Sequence, residues 1–239
     1  MFHLEAAGQL FKLRKAKGIT SISEASSTPL HLYRVATESF LYHIATMALF
    51  HEDIDELSNK FSWADLHDGL NSNPFPDASK FANSPITGPL HNVYRLVFEV
   101  TELSRHVPLE GEDYQNALQY KLELETLKET LPQESEEDST NPLALSLEQS
   151  DLLYVLPLQI YLFKVLHPEV PATHVYIQSL VRECMPLIQD CLVGDPSNFN
   201  LWWPILILSC AVQSPADVSL LKERLIEIWK CTLCGHIET

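Results

Sequence analysis

Apolar side chains in this chain return at steps of three and four residues, segment after segment, and almost never at steps of two. After "STP", where Thr28 can cap and Pro29 can take the first helical position, Tyr33, Ala36, Phe40, Ile44 and Met47 mark one face of a helix. Val93, Val97, Val100 and Leu103 repeat the pattern after Pro89, and Leu118, Leu122, Leu127 and Leu131 follow it more loosely. Ile177, Leu180, Cys184, Leu187 and Cys191 form another stripe, ahead of the stop signals Gly194 and Pro196. Phe2, Leu10 and Leu13 suggest a first helix. No turn dipeptide joins two alternating runs, and no fixed-period repeat is readable. The expectation is an all-α, irregular bundle of roughly eight to ten helices, given typical helix and loop lengths. It should form one domain over residues 1–239, with an acidic, proline-flanked mobile loop at about 132–142 ("PQESEEDSTNP").

Two segments sharpen the reading. In "DLLYVLPLQIYLFKVL", Ser146 and Gln149 offer a capping box upstream, and Pro157 should kink or break the helix. In "NFNLWWPILILSC", no charged side chain occurs from Pro196 to Ala216. The apolar part, Leu201 to Val212, is short of the roughly 20 residues a membrane span requires. It reads instead as a buried central helix, with Asn200 as N-cap and Pro204 in the first turn, where its missing N–H costs nothing. Ser214, Pro215 and Asp217 then start a last helix, whose inner face would be Val218, Leu221, Leu225 and Ile228.

Composition removes several classes of function. A net charge of −16 leaves no basic stripe for phosphates, so direct nucleic-acid contact is not expected. The one basic cluster, "KLRKAK" (Lys12, Arg14, Lys15, Lys17), reads as the solvated end of the first helix. Seven glycines and no Gly-rich phosphate loop argue against nucleotide binding. Five cysteines, an odd number, do not make a secreted disulfide framework, and no signal-type apolar block opens the chain, so an intracellular setting is expected.

Motifs that could carry chemistry are sparse. "CTLCGH" supplies Cys231, Cys234 and His236 but no second ligand pair, and reads as a frayed tail beyond the last helix, so no metal site or cofactor is assigned. "HEDIDE" (His51 to Glu56) is similar to the Mg²⁺-binding acidic clusters of all-α terpene cyclases. It lacks the DDxxD spacing and a second acidic motif, and reads as a solvated face. His43 and His51, eight residues apart, would share a face of a continuous helix; with Tyr94 they are the candidate acid–base groups of an enzyme, and otherwise ordinary histidines. Aromatic residues concentrate in "LYHIATMALFHED", "HNVYRLVFEV" and "NLWWPILIL". Any ligand cavity is therefore expected among Tyr42, His43, Tyr94, Trp202 and Trp203, with core packing as the competing role of the rings.

In order along the chain, "HLEAAGQLFKLR", "ATESFLYHIATMALF", "SPITGPLHNVYRLVFEVTELSR" and "LWWPILILSCAVQSPADVSLLKERLIEIW" resemble the fungal-specific transcription factor domain, the helical regulatory region of fungal zinc-cluster activators. The most specific pieces are "LWWPILILSCAVQSPAD", which resembles the family's W-P-x-x-I-x-x-C-x-A helix and its Pro-capped successor, and "PLHNVYRLVFEVTEL". The family's DNA-binding module is a six-cysteine cluster at the N-terminus, whereas the first cysteine here is Cys184. The resemblance implies a regulatory or interaction domain, nuclear, binding protein partners or a second copy of itself, and sensing an apolar metabolite. The chain is then either a regulatory fragment or a paralogue put to another use. The alternative is a cytoplasmic, cofactor-independent cyclase or isomerase of secondary metabolism that works by proximity and orientation in an apolar pocket.

Overall fold

The computed structural model describes residues 27–50, 63–77, 83–84, 86–88, 91–131, 142–190 and 201–234. These residues contain no strand. The helices are α1 (Ser27–Met47), α2 (Trp63–Leu70), α3 (His91–Leu103), α4 (Gly111–Thr130), α5 (Pro142–Leu166), α6 (Val175–Asp190), α7 (Trp202–Ser209) and α8 (Pro215–Cys234), with short 3₁₀ turns at Ala48–Phe50 and Ser104–His106. The all-α expectation holds. The proposed first helix, the "KLRKAK" cluster, His51 with "HEDIDE", the acidic stretch 132–141, Asn200, the stop signals Gly194 and Pro196, Cys191 and His236 lie outside the described residues. Chain packing divides into two compact units, Met1–Glu102 and Leu103–Thr239.

The first unit is held by a buried polar knot that helical periodicity does not reveal. Phe40 and Ile44 are buried as expected, but Ala36 is exposed, and the inner face of α1 includes Arg34, Thr37 and Glu38. Arg34 and Glu38 are 5% and 0% exposed and pair one turn apart through Arg34 Nε. Arg34 Nη2 donates to Ser84 Oγ at 2.9 Å, and Ser84 in turn donates to Glu38 Oε1 at 2.6 Å. The other guanidinium nitrogen, Nη1, donates to the carbonyls of Gly69 and Ser72, both at 3.4 Å. The second carboxylate oxygen accepts from Ile86 N at 2.9 Å and from Thr87 N at 3.4 Å. One ion pair thus ties α1 to the end of α2 and to the turn before α3, and its polar atoms face partners, the condition under which a buried charge pair is tolerated. Gly88 closes that turn at φ 65°, a conformation that costs glycine little. Gly69 allows α1 and α2 to approach closely, because a Cβ there would lie 2.4 Å from Thr37 Oγ1. On α3, all four expected positions, Val93, Val97, Val100 and Leu103, are buried, as are Tyr94, Leu96 and Phe98.

In the second unit α5 is the hub, packing against α4, α6 and α7. Its 25 residues run through Pro157 unbroken. A helix-interior proline costs about 3 kcal/mol. Here that is outweighed by burial of every residue from Leu153 to Ile160. The helix starts at Pro142, a proline at the first position, so Ser146 and Gln149 fall inside it rather than at its cap. The core joins Leu153, Leu156 and Ile160 of α5 to Ile177, Leu180 and Cys184 of α6, to Leu201, Ile205 and Leu208 of α7, and to Leu221 of α8.

Four further expectations are corrected. The tryptophan helix is Trp202–Ser209, shorter than Leu201–Val212; Cys210 and Ala211 close it with tight bonds to the Ile207 and Leu208 carbonyls, and the approach to Pro215 disfavours further helix. On α4, Ala117 and Leu124 are the buried residues, while Leu118 and Leu122 are 39% and 58% exposed. On α8, Ser214 does cap and Pro215 is first, but only Leu221 of the expected inner face is fully buried, with Ile228 partly so; Val218 and Leu225 face outward. The same helix extends through Cys234, so Cys231 and Cys234 belong to it and not to a tail.

Candidate functional site

A groove lies inside the second unit, where α4, α5 and α6 meet. The "HPEVPATHVY" turn between α5 and α6 builds one wall. Lys164, in the last turn of α5, donates to the carbonyls of Pro168, at 2.8 Å, and of Val170, which satisfies free acceptors and suits the negative end of the helix. The turn is held so that His167, His174 and Tyr176 gather about Phe163, with ring centroids at 4.8, 5.4 and 4.8 Å from it. Gln178 bridges the Ala172 and Ala211 carbonyls at 2.8 and 2.9 Å and fixes the start of α6 against the turn that follows α7.

The groove so formed has a volume of about 250 Å³. Leu124, Leu162 and Leu166 supply its apolar surface, Phe163, Tyr114 and Tyr176 its rings, and Gln159 an uncharged polar group. Gln159 is 8% exposed, and its carboxamide oxygen has neither solvent contact nor a hydrogen-bond partner among the described residues. An unmatched buried acceptor in an otherwise apolar setting is costly. Leu118 and Tyr114, both partly exposed, lie at the α4 side together with Lys121, which is 3.9 Å from Glu125. Burial, then the carboxylates of Glu125 and Glu183, push the Tyr176 hydroxyl above its ordinary pKa. Glu183 also pairs with Lys128 at 2.5 Å, linking α6 to α4 beside the groove. The shape and lining suit a small, largely apolar molecule.

The residues singled out from sequence stand elsewhere. In the first unit, Tyr42 meets Tyr94 edge to face at 5.8 Å and His43 at 5.2 Å. Tyr94 is buried, whereas His43 is exposed and bonds the Ser39 carbonyl of its own helix at 2.6 Å. In the second unit, Trp203 is fully buried, stacked on Tyr154 at 5.8 Å with an interplanar angle of 3°, and it meets Tyr161 edge on at 6.3 Å. Trp202 is partly buried. The groove lining comes from residues the sequence reading did not select. Its one readable signal is Gln159, a lone amide inside an apolar run; the spacing of Phe163, His167, His174 and Tyr176 matters only once the turn has closed.

Two features act as structure rather than as sites. Burial, and then Arg34, lower the pKa of His91 to about 4, and its Nδ1 has no partner among the described residues. Cys184 is a free thiol pushed well up by burial, hence an inert part of the core. Among the described residues no group of three His, Cys, Asp or Glu side chains could hold a metal ion, and no helix is long and apolar enough to cross a membrane.

An all-α chain with an apolar groove fits a binding and regulatory domain as readily as an enzyme, and comparison with known sequences decides the family. The fungal specific transcription factor domain matches over residues 1–239, and the chain belongs to that family. No curated protein and no solved structure matches it.

Proposed function

We propose that this chain is the effector-responsive part of a nuclear transcription regulator: it binds a small apolar metabolite and passes the change to protein partners, without contacting DNA itself. Family membership supports the regulatory role. The observation that carries the sensing role is the groove between α4, α5 and α6, mostly apolar in lining and bordered by Gln159, whose amide oxygen has no partner among the described residues. The acidic balance, −16 overall, supports action through proteins rather than on phosphate backbones.

The enzyme reading draws on the same groove, since His167 and Tyr176 both line it. Acid–base catalysis is most efficient when the group's pKa lies near the working pH. The Tyr176 hydroxyl is shifted upward, away from that range. The regulatory reading is therefore the better supported. Its test is a fusion of the full chain to a heterologous DNA-binding domain in a fungal host carrying a matching reporter. Reporter output should change when extracts of apolar metabolites are supplied. An unresponsive reporter, together with chemical conversion of a metabolite by the purified chain, would replace this reading with the enzymatic one.

A further inference from the structure

We infer that the groove between α4, α5 and α6 is a recognition site for a neutral, flat aromatic molecule carrying one hydrogen-bond donor, with Gln159 as the residue that reads the donor. The inference rests on the sensing role proposed above and specifies the chemistry of its ligand.

The lining selects flat rings. Phe163, Tyr114 and Tyr176 border the space, and Leu124, Leu162 and Leu166 complete an apolar surface. The Phe163 ring is itself packed by His167, His174 and Tyr176, so this wall is built before any ligand arrives. At about 250 Å³ the space lies just below the usual range for small-molecule pockets, about 300–1,000 Å³, which suits a one- or two-ring ligand.

The charge pattern selects neutrality. The carboxylates of Glu125 and Glu183 act on Tyr176 at one side, and they would disfavour an anion. Each of the two acids also stands near a lysine, Glu125 at 3.9 Å from Lys121 and Glu183 at 2.5 Å from Lys128, so neither is left unopposed for a cation.

Gln159 selects the donor. Its oxygen is shut off from solvent and has no partner among the described residues, while the residue itself lines the groove. The terminal torsion of a glutamine is soft and broad, so rotation of the carboxamide can turn that oxygen toward the groove. A ligand N–H or O–H then supplies the bond the amide lacks. A ring of the same shape without a donor leaves the acceptor stranded, and such a site discriminates strongly against it.

The test uses indole as probe and 1-methylindole as its donor-free counterpart, titrated into the purified full chain and followed by calorimetry and by NMR. Indole should bind saturably and more tightly than 1-methylindole. Gln159→Leu should weaken indole by roughly tenfold, the worth of one buried hydrogen bond, and leave 1-methylindole unchanged. Leu118→Trp, at a position that is 39% exposed and therefore tolerant, should obstruct the groove for both probes; it keeps the test decisive if Gln159→Leu fails to fold. Failure of indole to bind, or binding indifferent to both substitutions, would overturn the site while leaving the reporter result of the regulatory reading standing. Donor-dependent binding in a chain whose reporter fusion never responds would overturn the regulatory reading and leave the site.

Discussion

Removal of the Glu38 carboxylate is the sharpest probe of how the first unit is held. Glu38 is fully buried and accepts from Arg34 Nε, Ser84 Oγ, Ile86 N and Thr87 N. In Glu38→Ala the guanidinium of Arg34, 5% exposed, keeps its charge but loses its counter-ion. Breaking a buried pair by deleting one partner costs about 3–5 kcal/mol. The backbone N–H groups of Ile86 and Thr87 also lose their acceptor, at about 1–3 kcal/mol each before water enters the space the side chain leaves. With that recovery, a net loss of about 4 kcal/mol is expected, a large part of the 5–15 kcal/mol typical of a whole domain. Hydrogen exchange read by mass spectrometry on α1 and α2 peptides resolves this unit from the other. Protection of the slowest amides should fall roughly a thousandfold, since 1.4 kcal/mol is a factor of ten. Arg34→Met with Glu38→Leu should recover most of the part due to the stranded charge, giving a coupling of about 2 kcal/mol or more. A single-variant loss below about 1 kcal/mol, or a double variant as damaged as the sum of the two singles, would refute the assignment of the knot as the tie between α1, α2 and the turn before α3.

Three further outcomes are expected. His91 is neutral in the fold, its pKa lowered to about 4. A base with a depressed pKa stabilises fully above its unfolded value near 6.5 and loses that contribution as pH falls toward 4; urea melts at stepped pH should show the first unit weakening across this window by an amount on the order of 2–3 kcal/mol, and His91→Leu should flatten the dependence. Trp203→Ala should cost about 3–5 kcal/mol by chemical denaturation, because the ring is fully buried against Tyr154. Trp203→Phe should cost much less, since it keeps a ring in place and removes an indole N–H that has no partner among the described residues; an unchanged melting temperature in Trp203→Ala would show the ring to be peripheral. Gly69→Ala should destabilise by about 1–3 kcal/mol through collision with Thr37, and a second change, Thr37→Ala, should relieve part of it; additive losses in the pair would contradict the close approach of α1 and α2.

The periodic apolar positions of α3 and α6 were legible because one face of each meets the core, and a 3.6-residue repeat encodes one face. The same reasoning erred on α8, where Val218 and Leu225 point outward although they share the repeat, and on α4, where Leu118 and Leu122 do. Periodicity states that a helix has an apolar side; it does not state how much of that side a neighbour covers. Arg34 and Glu38 show the converse. An i, i+4 pair of opposite charges ordinarily marks a solvated face. Its burial depends on partners 35 to 50 positions away, at Gly69, Ser84, Ile86 and Thr87, which no local pattern connects.

What the sequence determined by itself was the class of structure and its punctuation. Helical spacing and scarce glycine pointed away from sheets, a proline at the first position set the start of α8, and the apolar stretch from Leu201 to Val212 called for burial. Helix formation, capping and the avoidance of buried charge are local or additive effects, so they survive being read one segment at a time. What only the tertiary structure decided was which polar groups are enclosed and which rings share a cavity. Pro157 stays inside an unbroken helix because that stretch of α5 is buried, Trp203 is core because Tyr154 stacks on it, and Gln159 comes to line a groove because α4 and α6 pack around an apolar stretch of α5. These are consequences of pairing between distant segments, and the free energy that fixes them comes from surfaces that do not exist until the chain has folded.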